Sequence, residues 1–366
     1  MQMAGAAVVG VSALGLAAVG SASAQRTASP APVPSAPDAN GCVVVVLDLY
    51  PHGDHLHVAD VHRLSMADLD ALSGDTALAP LSPVPADPVR SGPAPPPAGP
   101  SHPQDSLPQT AGRACSVPIF MDEWTLVLSV APPVDSIHGA SGGRGSRVVI
   151  HRLDGAPLGA EEGGSTWVGA GARLIPGGSG ISFIRPGGAH GPGSLYRLGA
   201  DGGEDHPVLP MVDDVVAHEW VTGDIVALLR DGSPGALWLG HLQGGGVERV
   251  AEGVLDGPAR IPGEDAVSFV EHDQEGRGWV RRISPVSGSV ETLVDTPPGS
   301  QLHTWMPAGP LGAGSALVMA HDGVLYRFEP GHDRFWHPIL NLNPWVGAPH
   351  GFVFSPSGLR LVVVVG

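Results

Sequence analysis

The chain has 366 residues, among them 53 Gly and 38 Pro, with only 15% charged residues and a formal net charge of −17. So many helix breakers exclude a coiled coil or helical bundle. An acidic surface without a single lysine gains nothing from displacing counterions on phosphates, which excludes sequence-independent nucleic-acid binding.

Residues 4–19 are uncharged and small to apolar, and Ser21-Ala22-Ser23-Ala24 offers small residues to a signal peptidase. This predicts a signal peptide over 1–24, cut after Ala24, and a secreted or periplasmic protein. No basic residue precedes the apolar run, so a single membrane anchor is the alternative. No later segment reaches the ~18 apolar residues of a spanning helix, so no membrane span is expected after cleavage. Residues 25–41 (QRTASPAPVPSAPDANG) have almost nothing to bury and read as a flexible leader. Residues 42–64 differ: VVVVLDLY is β-prone, PHGD is a turn, and HLHVADVHRL alternates as a second strand. Residues 65–114 return to Pro-rich, core-poor sequence and read as a flexible insertion. The two cysteines, Cys42 and Cys115, can form a disulfide in an oxidising compartment. Two unpaired cysteines on separate strands fit equally well.

From residue 115 to 366 the chain repeats. The segments 172–185, 218–230, 259–271, 303–320 and 351–365 each read as strand, Pro- or Gly-containing turn, and second apolar strand. A third strand follows, marked by Tyr196, Trp238, Trp279 and Tyr326 at separations of 42, 41 and 47 positions. A fourth strand comes after each, and residues 115–130 and 146–155 supply one earlier copy. Four strands per ~40–45 residues is the unit of a β-propeller blade. Starts at Cys115, Gly171, Val215, Gly257, Gln301 and His350 predict an all-β, six-bladed β-propeller. The last copy ends after two strands, and the hairpin 42–64 would supply its missing third and fourth, closing the ring.

The run FSPSGLRLVVVV (Phe354–Val365) resembles the S-P-D-G strand–turn–strand repeats of TolB-like propellers, with Ser357 where that family has Asp. Only this copy keeps a full S-P-x-G turn, and the separate N-terminal domain of TolB has no counterpart. The resemblance implies an extracytoplasmic six-bladed scaffold that binds proteins or small ligands without chemistry of its own.

Four constellations are candidates for chemistry. Gly139-Ala-Ser141-Gly-Gly143 matches a nucleophile elbow, but it lies in a Gly-rich loop between strands, with no hydrolase domain to supply a base. His52, Asp54, His55, His57 and His62 crowd the N-terminal hairpin, and His55 and His57 share a strand face. A polar outer strand accounts for them without a metal. The carboxylate pairs Asp213-Asp214, Glu161-Glu162 and Glu264-Asp265 fall in turns, where solvated carboxylates are the default.

The fourth constellation is His218-x-Trp220, His303-x-Trp305 and His350-x-Phe352, with a His two residues before an aromatic on three innermost strands. The period of two puts each His and its aromatic on one face. His218, Trp220, His303, Trp305 and His350 are therefore the candidate ligand-binding residues of the channel mouth, unless the His cap their strands and the aromatics pack between blades. The expectation is a monomeric, non-enzymatic scaffold for a protein partner or small ligand, with no catalytic residues, metal or cofactor. The alternative is a metal-dependent hydrolase or lactonase using the inner-strand His.

Overall fold

Short apolar runs bounded by turn residues satisfy their backbone groups by pairing with the next run, and the described residues contain no helix. The computed structural model describes residues 43–64, 116–130, 147–153, 167–178, 180–185, 193–198, 206–231, 235–273, 275–285, 288–300, 302–312, 314–347 and 349–365, all within the unit Pro32–Gly366. The expected signal peptide, leader, Pro-rich insertion, Ser141 loop and both cysteines lie outside them.

Strands β1 (Val43–His52) and β2 (His55–Leu64) form an antiparallel hairpin closed by Gly53-Asp54, with Gly53 at φ +62°. A bulge opposite Asp48 and Leu49 shifts the alternation, so Leu56 and Val58 before it and Val61 after it are buried in one cluster, while Leu64 packs in another. Strands β3 (Ile119–Phe120), β4 (Thr125–Val130), β5 (Arg147–Arg152) and β6 (Trp167–Val168) make a four-stranded antiparallel sheet. Strands β7 (Ala170–Leu174), β8 (Ile181–Arg185), β9 (Ser194–Leu198) and β10 (His206–Pro207) make the next.

The chain then departs from the expected division into four-stranded sheets. Strands β11 (Val215–Trp220), β12 (Ile225–Arg230), β13 (Gly235–His241), β14 (Gly246–Arg260), β15 (Val267–His272), β16 (Gly278–Ile283) and β17 (Val290–Asp295) form one seven-stranded sheet. The cause is β14, which has no break at Gly257. It pairs with β13 up to Val254 and with β15 from Val254 onward, bending at Gly253, where φ is +73°. A four-stranded sheet follows, of β18 (His303–Met306), β19 (Ala316–His321), β20 (Val324–Phe328) and β21 (His337–Asn341). Finally β22 (Gly351–Phe354) pairs with β23 (Arg360–Val365), and β23 pairs on its other edge with β1, from Val43↔Val365 to Asp48↔Arg360.

Packing makes these sheets a β-propeller. In β23, Leu361, Val362 and Val363 are fully buried, and consecutive residues serve opposite faces. Leu361 and Val363, with Val45 and Leu47, pack on Val318 and Leu325 of the preceding sheet. Val362, with Val44 and Val46, packs on Leu126, Leu128 and Val149 of the sheet β3–β6. The same sandwiching recurs along the chain, and the seven-stranded sheet packs on itself, with Leu237 and Leu239 against Val267, Phe269 and Ile283. The first strands touch in the order β3, β7, β11, β14, β18, β22 and back to β3. Each buried Val or Leu adds about 1.5–3 kcal/mol, so hydrophobic contact between sheets outweighs any single polar contact.

Candidate functional site

The sequence singles out His218 and Trp220, and β11 places both on the face turned toward β8 of the preceding sheet. The His218 imidazole Nε2 lies 2.7 Å from Ser182 Oγ, and the Trp220 indole N–H donates to that oxygen at 2.7 Å. All three residues are buried. The arrangement recurs one sheet pair later. His303 Nε2 lies 2.9 Å from Ser268 Oγ, and Trp305 Nε1–H donates to the same oxygen at 2.8 Å. Here Asp256 of β14 completes the chain, accepting His303 Nδ1 at 2.6 Å and the His303 backbone N–H at 2.9 Å.

Donor counting fixes one end of the second network. A carboxylate only accepts, so His303 Nδ1 carries a proton toward Asp256. The Ser268 oxygen takes the indole N–H and lies against both His303 Nε2 and, at 3.4 Å, the Ala259 carbonyl. Ser268–His303–Asp256 therefore has the connectivity of a hydrolytic triad, in which a carboxylate holds the tautomer and the imidazole faces the hydroxyl. It differs in access: Ser268 is 0% exposed, and so is the His303 side chain. The hydroxyl is buried between two sheets and capped by an indole, and its contacts bridge strands β14–β17 and the sheet β18–β21.

The first network is incomplete. Ala170 precedes Arg173, the ladder partner of Ser182, by three residues, as Asp256 precedes Ala259, the partner of Ser268. With no carboxylate there, His218 Nδ1 is buried without a hydrogen-bond partner. Burial, and secondarily the nearby Arg173, push the His218 pKa well below its ordinary value and hold the ring neutral. The neighbouring Glu219 pairs with Arg173 at 3.1 Å, and burial raises its pKa despite that partner and Arg260.

His350 does not face a serine and an indole as His218 and His303 do. It is exposed, the Phe352 side chain carries no N–H, and β19 of the preceding sheet contains no serine. Ser182 and Ser268 were missed by reading the sequence because they lie 36 and 35 residues from their imidazoles. The available signal was a serine inside each of two apolar strands, Ile181-Ser182-Phe183 and Val267-Ser268-Phe269, in the repeat before each His-x-Trp.

The S-P-S-G turn has a definite role. Ser355 and Ser357 hydroxyls donate to Glu123 Oε1 at 2.9 and 2.8 Å, and the Ser357 N–H donates to Oε2 at 3.1 Å. Arg360 donates to Asp48 at 2.7 Å and to the Glu123 carbonyl at 2.6 Å, its guanidinium 3.5 Å from the Trp124 ring centroid. These contacts join β1, β23 and the β3–β4 turn, segments from the two ends of the described chain.

In the N-terminal hairpin, His57 stacks on Tyr50 with centroids 5.4 Å apart and meets His52 edge-on at 5.5 Å, while His62 faces Asp48 and Asp60. Among the described residues, no group of three or more His, Cys, Asp or Glu side chains is placed to hold a metal ion.

No known family's sequence pattern matches the chain, and no curated protein matches it. Solved structures similar to it include TolB and other β-propeller proteins. TolB from Acinetobacter baumannii is 13% identical, covering 61% of this chain and 77% of that one at a TM-score of 0.33. The β-propeller domain of the Trilobed protease from Pyrococcus furiosus is 13% identical, covering 61% and 82% at 0.37. A gluconolactonase from Xanthomonas campestris is 12% identical, covering 69% and 85% at 0.45.

Proposed function

We propose that the chain is an extracytoplasmic, monomeric binding scaffold, a six-bladed propeller whose ring is closed by the N-terminal hairpin. Support for six blades comes from the six buried clusters, each between successive sheets or between the two halves of the seven-stranded sheet. Support for closure comes from the β1–β23 ladder. The turns between strands present side chains to a protein partner or a small ligand, while the strands hold those turns in place.

One observation carries the scaffold reading over the hydrolase reading. The Ser268–His303–Asp256 chain is buried, and its hydroxyl oxygen is covered by the Trp305 indole N–H that it accepts. These groups serve cohesion between sheets, so recognition falls to the turns. The test is cross-linking of the purified chain to the extracytoplasmic fraction, alongside assays with chromogenic esters and lactones in the presence and absence of divalent metals. A defined cross-linked partner and no turnover are expected. Turnover that is abolished by Ser268→Ala in a folded variant, or that depends on added metal, would overturn it.

A further inference from the structure

A cleft of about 260 Å³ lies between the β14–β17 half of the seven-stranded sheet and the sheet β18–β21. Its apolar wall includes Ile261 and Trp305, 2% and 7% exposed, and its polar groups are Glu264, Arg282, Ser315, Glu329 and His332. Two carboxylates thus line it with one guanidinium and one imidazole. Behind them the balance stays acidic: Glu291 is a second carboxylate on Arg282, at 3.7 Å, and Asp333 stands 3.9 Å from Arg327, the partner of Glu329.

Glu329 is 6% exposed and held in place, taking the Gly314 N–H at 3.1 Å on one oxygen and Arg327 at 2.6 Å on the other. A Cβ on Gly314 would sit 2.7 Å from that first oxygen, so the glycine permits the backbone to close on the carboxylate. Glu264 sits on the rim with one partner, Arg282, at 2.6 Å. A carboxylate offers about four acceptor positions, so both retain capacity for a further donor, with His332 Nε2 standing 3.9 Å from Glu329 Oε1. The cleft therefore combines an indole wall, aliphatic sides and spare carboxylate acceptors, which suits a cation on an alkyl stem.

We infer that this cleft is the docking site for a basic side chain, arginine or lysine, of a partner polypeptide. The inference rests on the scaffold reading and names the chemistry of its partner. Charge complementarity selects the occupant, since an incoming cation meets excess carboxylate locally and a net charge of −17 over the chain. An acidic segment would meet repulsion on both scales.

The test titrates the full chain with acetyl-Ala-Arg-Ala-amide and its Gln and Glu counterparts, read by calorimetry and by indole fluorescence. The Arg peptide is expected to bind saturably, weakening with salt, with the Gln peptide about tenfold weaker and the Glu peptide inactive. Glu264→Gln, a rim change on a turn, is expected to weaken the Arg peptide about tenfold. Glu329→Gln is expected to weaken it further wherever that variant folds. Absence of saturable binding, equal binding of the Arg and Gln peptides, or indifference to Glu264→Gln overturns the inference. Such a failure leaves the scaffold reading standing if a partner is still cross-linked, so the two are separable.

Discussion

At the scale of single residues, two serines hold pairs of sheets together, each by accepting an indole N–H and facing an imidazole Nε2. Removing the oxygen strands both partners in a buried place, which costs more than the bonds contributed. Ser182→Ala and Ser268→Ala are each expected to lower unfolding free energy by about 1–3 kcal/mol in urea denaturation. His218 adds a pH dependence. Its pKa is depressed in the folded state, so below the ordinary value of 6.5 the unfolded chain takes up a proton that the folded chain refuses. This contribution is intact above pH 6.5 and is lost as pH falls toward the depressed value, at up to ~1.4 kcal/mol per pH unit. Ala170→Asp is expected to give His218 Nδ1 the carboxylate that His303 already has, and so to flatten that slope. Urea midpoints at pH 7 and pH 5 for wild type and Ala170→Asp decide it, and equal slopes would reject the account.

At the scale of elements, what the sequence shows is what repeats at short range. Apolar alternation and Gly-Pro turns mark most strands, because period and turn chemistry are local. The continuous β14 was not legible: Gly257 looks like a boundary, while the actual bend falls at Gly253 and the ladder passes through Val254 to both neighbours. The candidate site was half legible. Same-face geometry for His218 and Trp220 follows from a period of two, but their serine partner lies in another sheet, and only packing reveals it. The place of Ser357 in the turn also became intelligible in three dimensions. Ser357 donates to Glu123, and an aspartate there would set two carboxylates face to face. Ser357→Asp is therefore expected to lower stability by about 1–2 kcal/mol at pH 7, with recovery in the double variant Ser357→Asp/Glu123→Gln. Thermal melts of the single and double variants measure that coupling, and strict additivity would mean the two side chains do not meet.

At the scale of the whole molecule, the stability of a ring depends on the one sheet whose strands come from distant parts of the chain. In an open ring, β23 would present an unpaired edge of consecutive valines, which favours association with other chains. The ladder from Val43↔Val365 to Asp48↔Arg360 covers that edge, and Arg360 ties it to the β3–β4 turn. If this pairing holds the ring shut in solution, a covalent link across it should form without distortion. Val45 and Val363 are direct ladder partners, both nearly inaccessible, and antiparallel partners place their Cα atoms about 4.5–5.5 Å apart, within the range a disulfide spans. In a chain with Cys42 and Cys115 replaced by serine, Val45→Cys/Val363→Cys is expected to oxidise spontaneously and to run faster than the reduced form on a denaturing gel. Its melting temperature should rise by several degrees, because the bond removes the largest loop available to the unfolded chain. A pair of thiols that stays reactive toward alkylating reagents in the folded protein would show that the hairpin and β23 part readily. The hairpin would then be a removable strap rather than a component of the ring.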